Sequence, residues 1–307
     1  MQPSATELRR LAQARWTDLL ARRPDLAPAV ALQRGLIGRM IDLHERLTGD
    51  AVPCPQIMPP RFLDAMASGV PAFRVERVAL PVAILAPGLR DHAEMLERGG
   101  AGEPARHVVE AIDAGRVNAA SWLAASFGRD EQAIRTGGIE LGLSPDVLWL
   151  VGELAVAPFA ARLQERCFCS SDPDFSRLAV SVAVWDRGYC PACGSWPALA
   201  EVIGGKRTLR CSFCGSAWIQ RAAGCVYCAG EVSPTRGTPA AHPDPDSVES
   251  CESCQGYLKV LVRSDRAPFP LLAIDDMATV DLDVAAADAG YGRPPLPRLP
   301  GDVARAG

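Results

Sequence analysis

The sequence predicts an α+β protein, with an amino-terminal all-helical domain followed by two small four-cysteine β modules of zinc-ribbon type. Three observations carry that prediction. Up to about Arg166, apolar residues recur at three- and four-residue steps, the period of a helix with one buried face. From Ser170 onward the texture shifts to short β-branched and aromatic segments set among glycines. Between Cys190 and Cys254, eight of the eleven cysteines fall into four CxxC pairs.

The helices are read in chain order. Leu8, Leu11, Ala12, Trp16, Leu19 and Leu20 form one stripe, and Val30, Ile37 and Ile41 begin a second, with Pro24 and Pro28 separating the two helices. Further helices are expected over residues 60–68, 89–98, 104–114, 116–127, 131–136 and 145–164, mostly bordered by Gly or Pro. Ser144 can cap the last of these, Pro145 suits its first turn, and Pro158 is expected to kink it. The apolar run 178–185 reads as β-forming, the proline-rich stretch 233–245 as a loop, and residues 294–307 as a loose tail. The expected domains are residues 1–169, helical; 170–224, the first metal module; and 225–307, the second, with a helical segment and the tail.

Two residues between cysteines let one tight turn aim both sulfurs at a single ion, and a second such turn completes a tetrahedron of thiolates. Cys190/Cys193 and Cys211/Cys214 are separated by a spacing typical of zinc ribbons, and Cys225/Cys228 and Cys251/Cys254 by a slightly longer one. Sequential pairing of these turns is favoured over a cross-braced arrangement, and eight ligands imply two ions. Cys193-Gly194-Ser195 and Cys214-Gly215-Ser216 repeat a triplet, and Gly230 and Gly256 follow the other two pairs, as turns with positive φ would want. The spacing leaves zinc and iron both open. Cys54, Cys167 and Cys169 carry no such pattern.

The composition excludes other classes. Charged residues make up 22% of the chain and hydrophobic ones 48%, which suits a folded globular protein. No apolar run is long enough to span a bilayer, and Glu7, Arg9, Arg10, Arg15 and Asp18 interrupt the amino end, so neither membrane insertion nor a signal peptide is expected. A cytoplasmic protein with reduced thiols is the reading that follows. The basic island of Arg187, Lys206, Arg207, Arg210 and Arg221 is too sparse for nucleic acid to be the expected partner. Gly205-Lys206-Arg207 fails the phosphate-loop pattern, HExxH and GxSxG are absent, and His44, His92, His107 and His242 are scattered. No enzyme is expected.

Several stretches nevertheless share a pattern. Trp185-Asp-Arg-Gly-Tyr-Cys-Pro-Ala-Cys-Gly-Ser-Trp-Pro and Thr208-Leu-Arg-Cys-Ser-Phe-Cys-Gly-Ser-Ala-Trp resemble the FdhE family of formate dehydrogenase accessory proteins. Glu249-Ser-Cys-Glu-Ser-Cys-Gln-Gly-Tyr-Leu-Lys, Ile274-Asp-Asp-Met-Ala-Thr-Val-Asp-Leu-Asp, Ala289-Gly-Tyr-Gly-Arg and Pro60-Arg-Phe-Leu extend the resemblance. It departs from the family pattern at Arg221-Ala-Ala-Gly and in the proline-rich insert before Cys251. The resemblance implies a cytoplasmic maturation factor that contacts the catalytic subunit of formate dehydrogenase and carries two rubredoxin-like centres that bind iron. The alternatives from the residues themselves are a zinc-ribbon nucleic-acid binder and a thiol-disulfide redox protein. The expected docking surface combines the knuckle residues Trp196, Arg210 and Trp218 with the acidic segment around Asp275 and Asp276.

Overall fold

The computed structural model describes residues 3–47, 52, 59–168, 179–220, 223–236 and 246–300. It divides into two compact units, Met1–Pro55 with Val78–Leu163, and Gln56–Arg77 with Gln164–Gly307.

The first unit is helical. Helices α1 (Ala5–Arg22) and α2 (Ala27–Arg46) are joined by a 3₁₀ turn at Pro24–Leu26. Pro28 sits in the first turn of α2 rather than between the helices, because the first turn needs no donor from it. Ser4 caps α1 by accepting from the Glu7 amide at 3.2 Å, and Leu8, Ala12, Trp16 and Leu19 form the buried stripe. In the second unit α3 (Pro59–Ala67) and α4 (Ala72–Val75) follow, and the first unit resumes with α5 (Val82–Leu96), α6 (Gly102–Asp113), α7 (Ala119–Phe127), α8 (Glu131–Leu141) and α9 (Pro145–Phe168), the last as far as Leu163. Asn118 caps α7 and Asp130 caps α8, each accepting an amide three residues on. Val151, Ala155, Val156, Ala157, Phe159, Ala160, Ala161 and Leu163 are all buried, so α9 is the core of this unit. Helix α9 runs through Pro158 unbroken. At Gly152 the helix approaches α7 so closely that a Cβ would stand 2.1 Å from Ser126 Oγ and 2.7 Å from Trp122 Nε1.

The second unit holds one six-stranded sheet, ordered β3-β2-β1-β6-β5-β4, from β1 (Leu199–Ile203), β2 (Lys206–Arg210), β3 (Ala217–Trp218), β4 (Ser233–Arg236), β5 (Ser247–Cys251) and β6 (Gly256–Val262). Each half is antiparallel, and the halves join through β1 and β6, which run parallel with Ala200 opposite Val260. Helices α10 (Leu272–Ala278) and α11 (Val280–Asp288) follow the last strand. Their Leu272, Leu282 and Ala286 join Leu199, Val248, Tyr257 and Leu261 in one core.

Three expectations fail here. Residues 179–183 are helical, not strand, with Val180 and Val184 both exposed: the described strands all begin at Leu199 or later, so this run has no ladder to join. Residues 233–236 form β4 at the sheet edge, where Pro234 costs no ladder bond; residues 237–245 lie outside the described ones. The tail is not loose up to residue 300: Trp196 Nε1 donates to the Pro295 carbonyl at 2.6 Å and Leu299 is buried. No helix among the described residues is long and apolar enough to cross a membrane.

Candidate metal centres

Each CxxC pair is a turn closed by its own backbone. In the first, the Gly194 amide donates to the Cys190 carbonyl at 3.0 Å and the Cys190 amide to the Ser195 carbonyl at 2.8 Å. The second repeats this through Gly215 to Cys211 and Cys211 to Ser216, both at 3.0 Å. Gly194 and Gly215 have φ of 84° and 72°, the left-handed region that the repeated triplet anticipates. The other two turns place non-glycine residues there, Ala229 at 62° and Gln255 at 54°. Gly230 and Gly256 therefore do not serve the positive φ expected of them. They leave space instead: a Cβ on Gly256 would lie 2.7 Å from the Tyr227 ring and 3.1 Å from Cys254 Sγ, and one on Gly230 3.2 Å from Cys228 Sγ.

The fold brings the eight cysteines into two groups of four, Cys190/Cys193/Cys211/Cys214 and Cys225/Cys228/Cys251/Cys254, with all sulfurs of a group within 4.8 Å of one another. This is the sequential grouping. In the first, Cys190–Cys214 and Cys193–Cys211 are 3.5 and 3.6 Å apart. In the second, Cys225–Cys254 and Cys228–Cys251 are 3.7 and 3.5 Å apart. A disulfide would need about 2.05 Å. Four sulfurs at about 2.3 Å from a central ion would stand about 3.8 Å apart in a tetrahedron, so the spacing fits a metal and excludes crosslinks.

Protonation points the same way. Burial pushes the Cys193 thiol up, yet hydrogen bonds with Cys190, Cys211, Cys214 and Ser195 hold it well below its ordinary value. Its neighbours Cys190 and Cys193 push Cys211 well up, and burial together with the same pair does so for Cys214. Without a cation these thiols do not ionise together, and a divalent ion removes that obstacle. The first group is flanked by hydroxyls, Ser195 Oγ 3.4 Å from Cys193 Sγ and Ser216 Oγ 3.3 Å from Cys214 Sγ. In the second group, the amides of Tyr227 and Gly230 donate to Cys225 and Cys228 sulfur at 3.4 Å.

The surroundings hold features that residue types alone do not announce. The amides of Ala72 and Phe73, at the start of α4, donate to the Pro191 and Ala192 carbonyls at 2.9 Å, and Tyr189 donates to the Gly69 carbonyl at 2.7 Å, so residues 69–73 brace the first turn. Trp185, Tyr189, Trp196 and Tyr227 form an edge-to-face series with centroids 5.5, 6.1 and 5.2 Å apart, running from the first cysteine turn to the third. Lys259 is fully buried, ion-paired to Asp276 and Asp283 at 2.7 and 2.6 Å, and Arg293 reaches the same two carboxylates. A lysine inside the apolar run Tyr257 to Val262 was the signal for that pair.

The expected docking residues are corrected in part. Arg210 is buried, ion-paired with Glu201 and donating to the Ala267 carbonyl at 2.7 Å, and Trp218 is buried with its indole donating to the Arg187 carbonyl. Neither is free to meet a partner, because both complete the sheet's own interior. Trp196 is half-buried. Asp276 is already engaged by Lys259 and Arg293. Cys167 is buried near the end of α9, while Cys54, Cys169 and Arg221 lie outside the described residues.

Residues 209–298 match the family model described as FdhE, C-terminal domain. Two relatives called Protein FdhE homolog align locally. One, from Aquifex aeolicus (strain VF5), is 32% identical over 114 residues, covering 35% of this chain and 40% of the relative. The other, from Stutzerimonas stutzeri (strain A1501), is 35% identical over 127 residues, covering 39% and 41%. The crystal structure of the FdhE protein from Pseudomonas aeruginosa superposes over 97% of both chains with a TM-score of 0.55 at 23% identity, a likeness of fold. The comparisons support the FdhE family. The chain spans about two fifths of the length of the curated relatives it matches. All of the second cysteine group, and Cys211 and Cys214 of the first, lie inside the FdhE C-terminal domain match.

Proposed function

We propose that this chain is an accessory protein for formate dehydrogenase maturation, binding the catalytic subunit in the cytoplasm and holding one metal ion in each four-cysteine group. The observation that carries the reading is the pair of four-sulfur groups at tetrahedral spacing, set in and beside the part of the chain that matches the FdhE C-terminal domain. Eight cysteines serve as ligands here: Cys190, Cys193, Cys211 and Cys214 for one ion, Cys225, Cys228, Cys251 and Cys254 for the other. Both iron and zinc accept four thiolates in this geometry. The ions pin turns that would otherwise be weakly held, and the protein acts as a binding platform and not as a catalyst. Rigid turns lose little freedom on docking, which favours specific recognition.

Elemental analysis of anaerobically purified protein is expected to give two ions per chain, and its absorption spectrum to separate ferric tetrathiolate from colourless zinc. A tagged chain is expected to retain the formate dehydrogenase catalytic subunit on co-purification. Retention undiminished in a variant lacking all eight cysteines would sink the proposal.

A further inference from the structure

The two groups are alike in ligand geometry and unlike in cover. Cys190, Cys193, Cys211 and Cys214 are each at most 1% exposed. Both of their glycine turns are roofed by apolar side chains: a Cβ on Gly194 would stand 2.6 Å from Leu299 and 3.0 Å from Pro71, and one on Gly215 3.1 Å from Phe269. The Pro191 and Ala192 carbonyls between the first two ligands are taken by the amides of α4. Solvent has no route to those sulfurs without displacing part of the fold.

The second group is open on one side. Cys225 and Cys251 are buried, Cys251 completely, but Cys228 and Cys254 are exposed. The turn residues beside them, Ala229, Glu252, Ser253 and Gln255, are exposed as well, and none places a large apolar group over the sulfurs. Among the described residues, backbone amides and the Tyr227 ring support this group from within.

We propose that the centres divide into a closed one and an exchangeable one: the ion of the Cys225/Cys228/Cys251/Cys254 group enters and leaves through the face formed by Cys228 and Cys254. A thiolate-bound ion is lost by stepwise replacement of its ligands, and each replacement needs an incoming soft donor, such as a thiol or chelator, in contact with the metal. Cys228 and Cys254 are where such a donor can reach. As the ion departs, the released thiolates take protons from water, and no electron is moved. At the first group the same attack has to wait for local opening of Leu299, Phe269 and α4. This inference rests on the reading that each group holds an ion.

The test uses the full chain loaded with zinc, its content fixed first by elemental analysis, then mixed with excess 4-(2-pyridylazo)resorcinol, whose colour reports released zinc, and quenched at intervals with iodoacetamide for mass mapping. Two phases of about one equivalent each are expected, differing by about tenfold or more in rate, as access and not ligand type sets them apart. Alkylation in the fast phase should fall on the second group, with Cys190, Cys193, Cys211 and Cys214 protected. Cys228→Ser is expected to remove the fast phase and keep the slow one. Release of both ions in one phase, or early label on the first group, would overturn the inference. A loading below two equivalents would instead overturn the two-ion reading on which it rests.

Discussion

At the scale of single residues, the eight ligand cysteines were legible because a two-residue spacing is local, whereas the fate of Arg210 depends on register. The hairpin sets Glu201 opposite Thr208 and Arg210 opposite Leu199, so the two charges meet diagonally on one face and are sealed in together. Breaking such a pair leaves one buried charge uncompensated, at about 3–5 kcal/mol. Glu201→Gln is therefore expected to lower the denaturation midpoint of the second unit markedly, measured by chemical unfolding. The left-handed residues give the opposite sign. An L-residue there costs about 1 kcal/mol, so Ala229→Gly should be neutral to stabilising by a few tenths of a kcal/mol after the entropy of the unfolded chain is counted. Gly256→Ala should weaken the second centre, read as faster zinc loss. His92, buried in α5, shows how charge enters stability. Burial lowers its pKa from 6.5 to about 4, the Gly88 backbone opposing only in part. The unfolded chain then takes up the proton first, so stability is fully present above about pH 6.5 and is lost as pH falls towards 4, by about 3 kcal/mol in total. Unfolding of His92→Leu across that window should show a shallower pH dependence than the natural chain.

Among elements, helices were legible where period and borders agreed. Residues 131–136 were expected to be helical, and the helix runs to Leu141 because Gly137 and Gly138 did not stop it; Gly142, at φ 68°, does. Residues 179–183 are helical despite their β-branched composition because β propensity measures fit to a pleated surface, and no strand among the described residues lies there to pair with. β4 was hidden by Pro234, which an edge strand tolerates. Helix contact makes a sharper test at Gly152. Alanine would raise the intrinsic helix preference of α9 by about 1 kcal/mol. Its methyl would nonetheless collide with Ser126 and Trp122. Overpacking costs about 1–3 kcal/mol. Gly152→Ala should thus be destabilising on balance in thermal unfolding followed by far-ultraviolet circular dichroism.

For the molecule as a whole, the cysteine spacing announced two metal turns per ion, but not that all four turns share one sheet, since the join is a parallel pairing between strands about 60 residues apart. Removing both ions should cost the second unit on the order of 10 kcal/mol, while the first unit keeps an apolar core of its own. Chelation is expected to expose Trp196 and Trp218, read by fluorescence, with most helical signal retained; complete loss of circular dichroism would show a single cooperative unit. The parallel seam also bears on the order of assembly. During synthesis the first two turns leave the ribosome and can close on an ion while β6 is still untranslated, at about 5–20 residues per second. The β1 edge then stays unpaired for seconds, offering its open hydrogen bonds to any neighbouring strand until its own partner arrives. Scarcity of metal at the Cys225/Cys228/Cys251/Cys254 group, whose last turn leads into β6, would hold β6 back from β1 beyond the time its translation takes, so metal starvation would be felt first as aggregation of new chains and only later as loss of the finished protein.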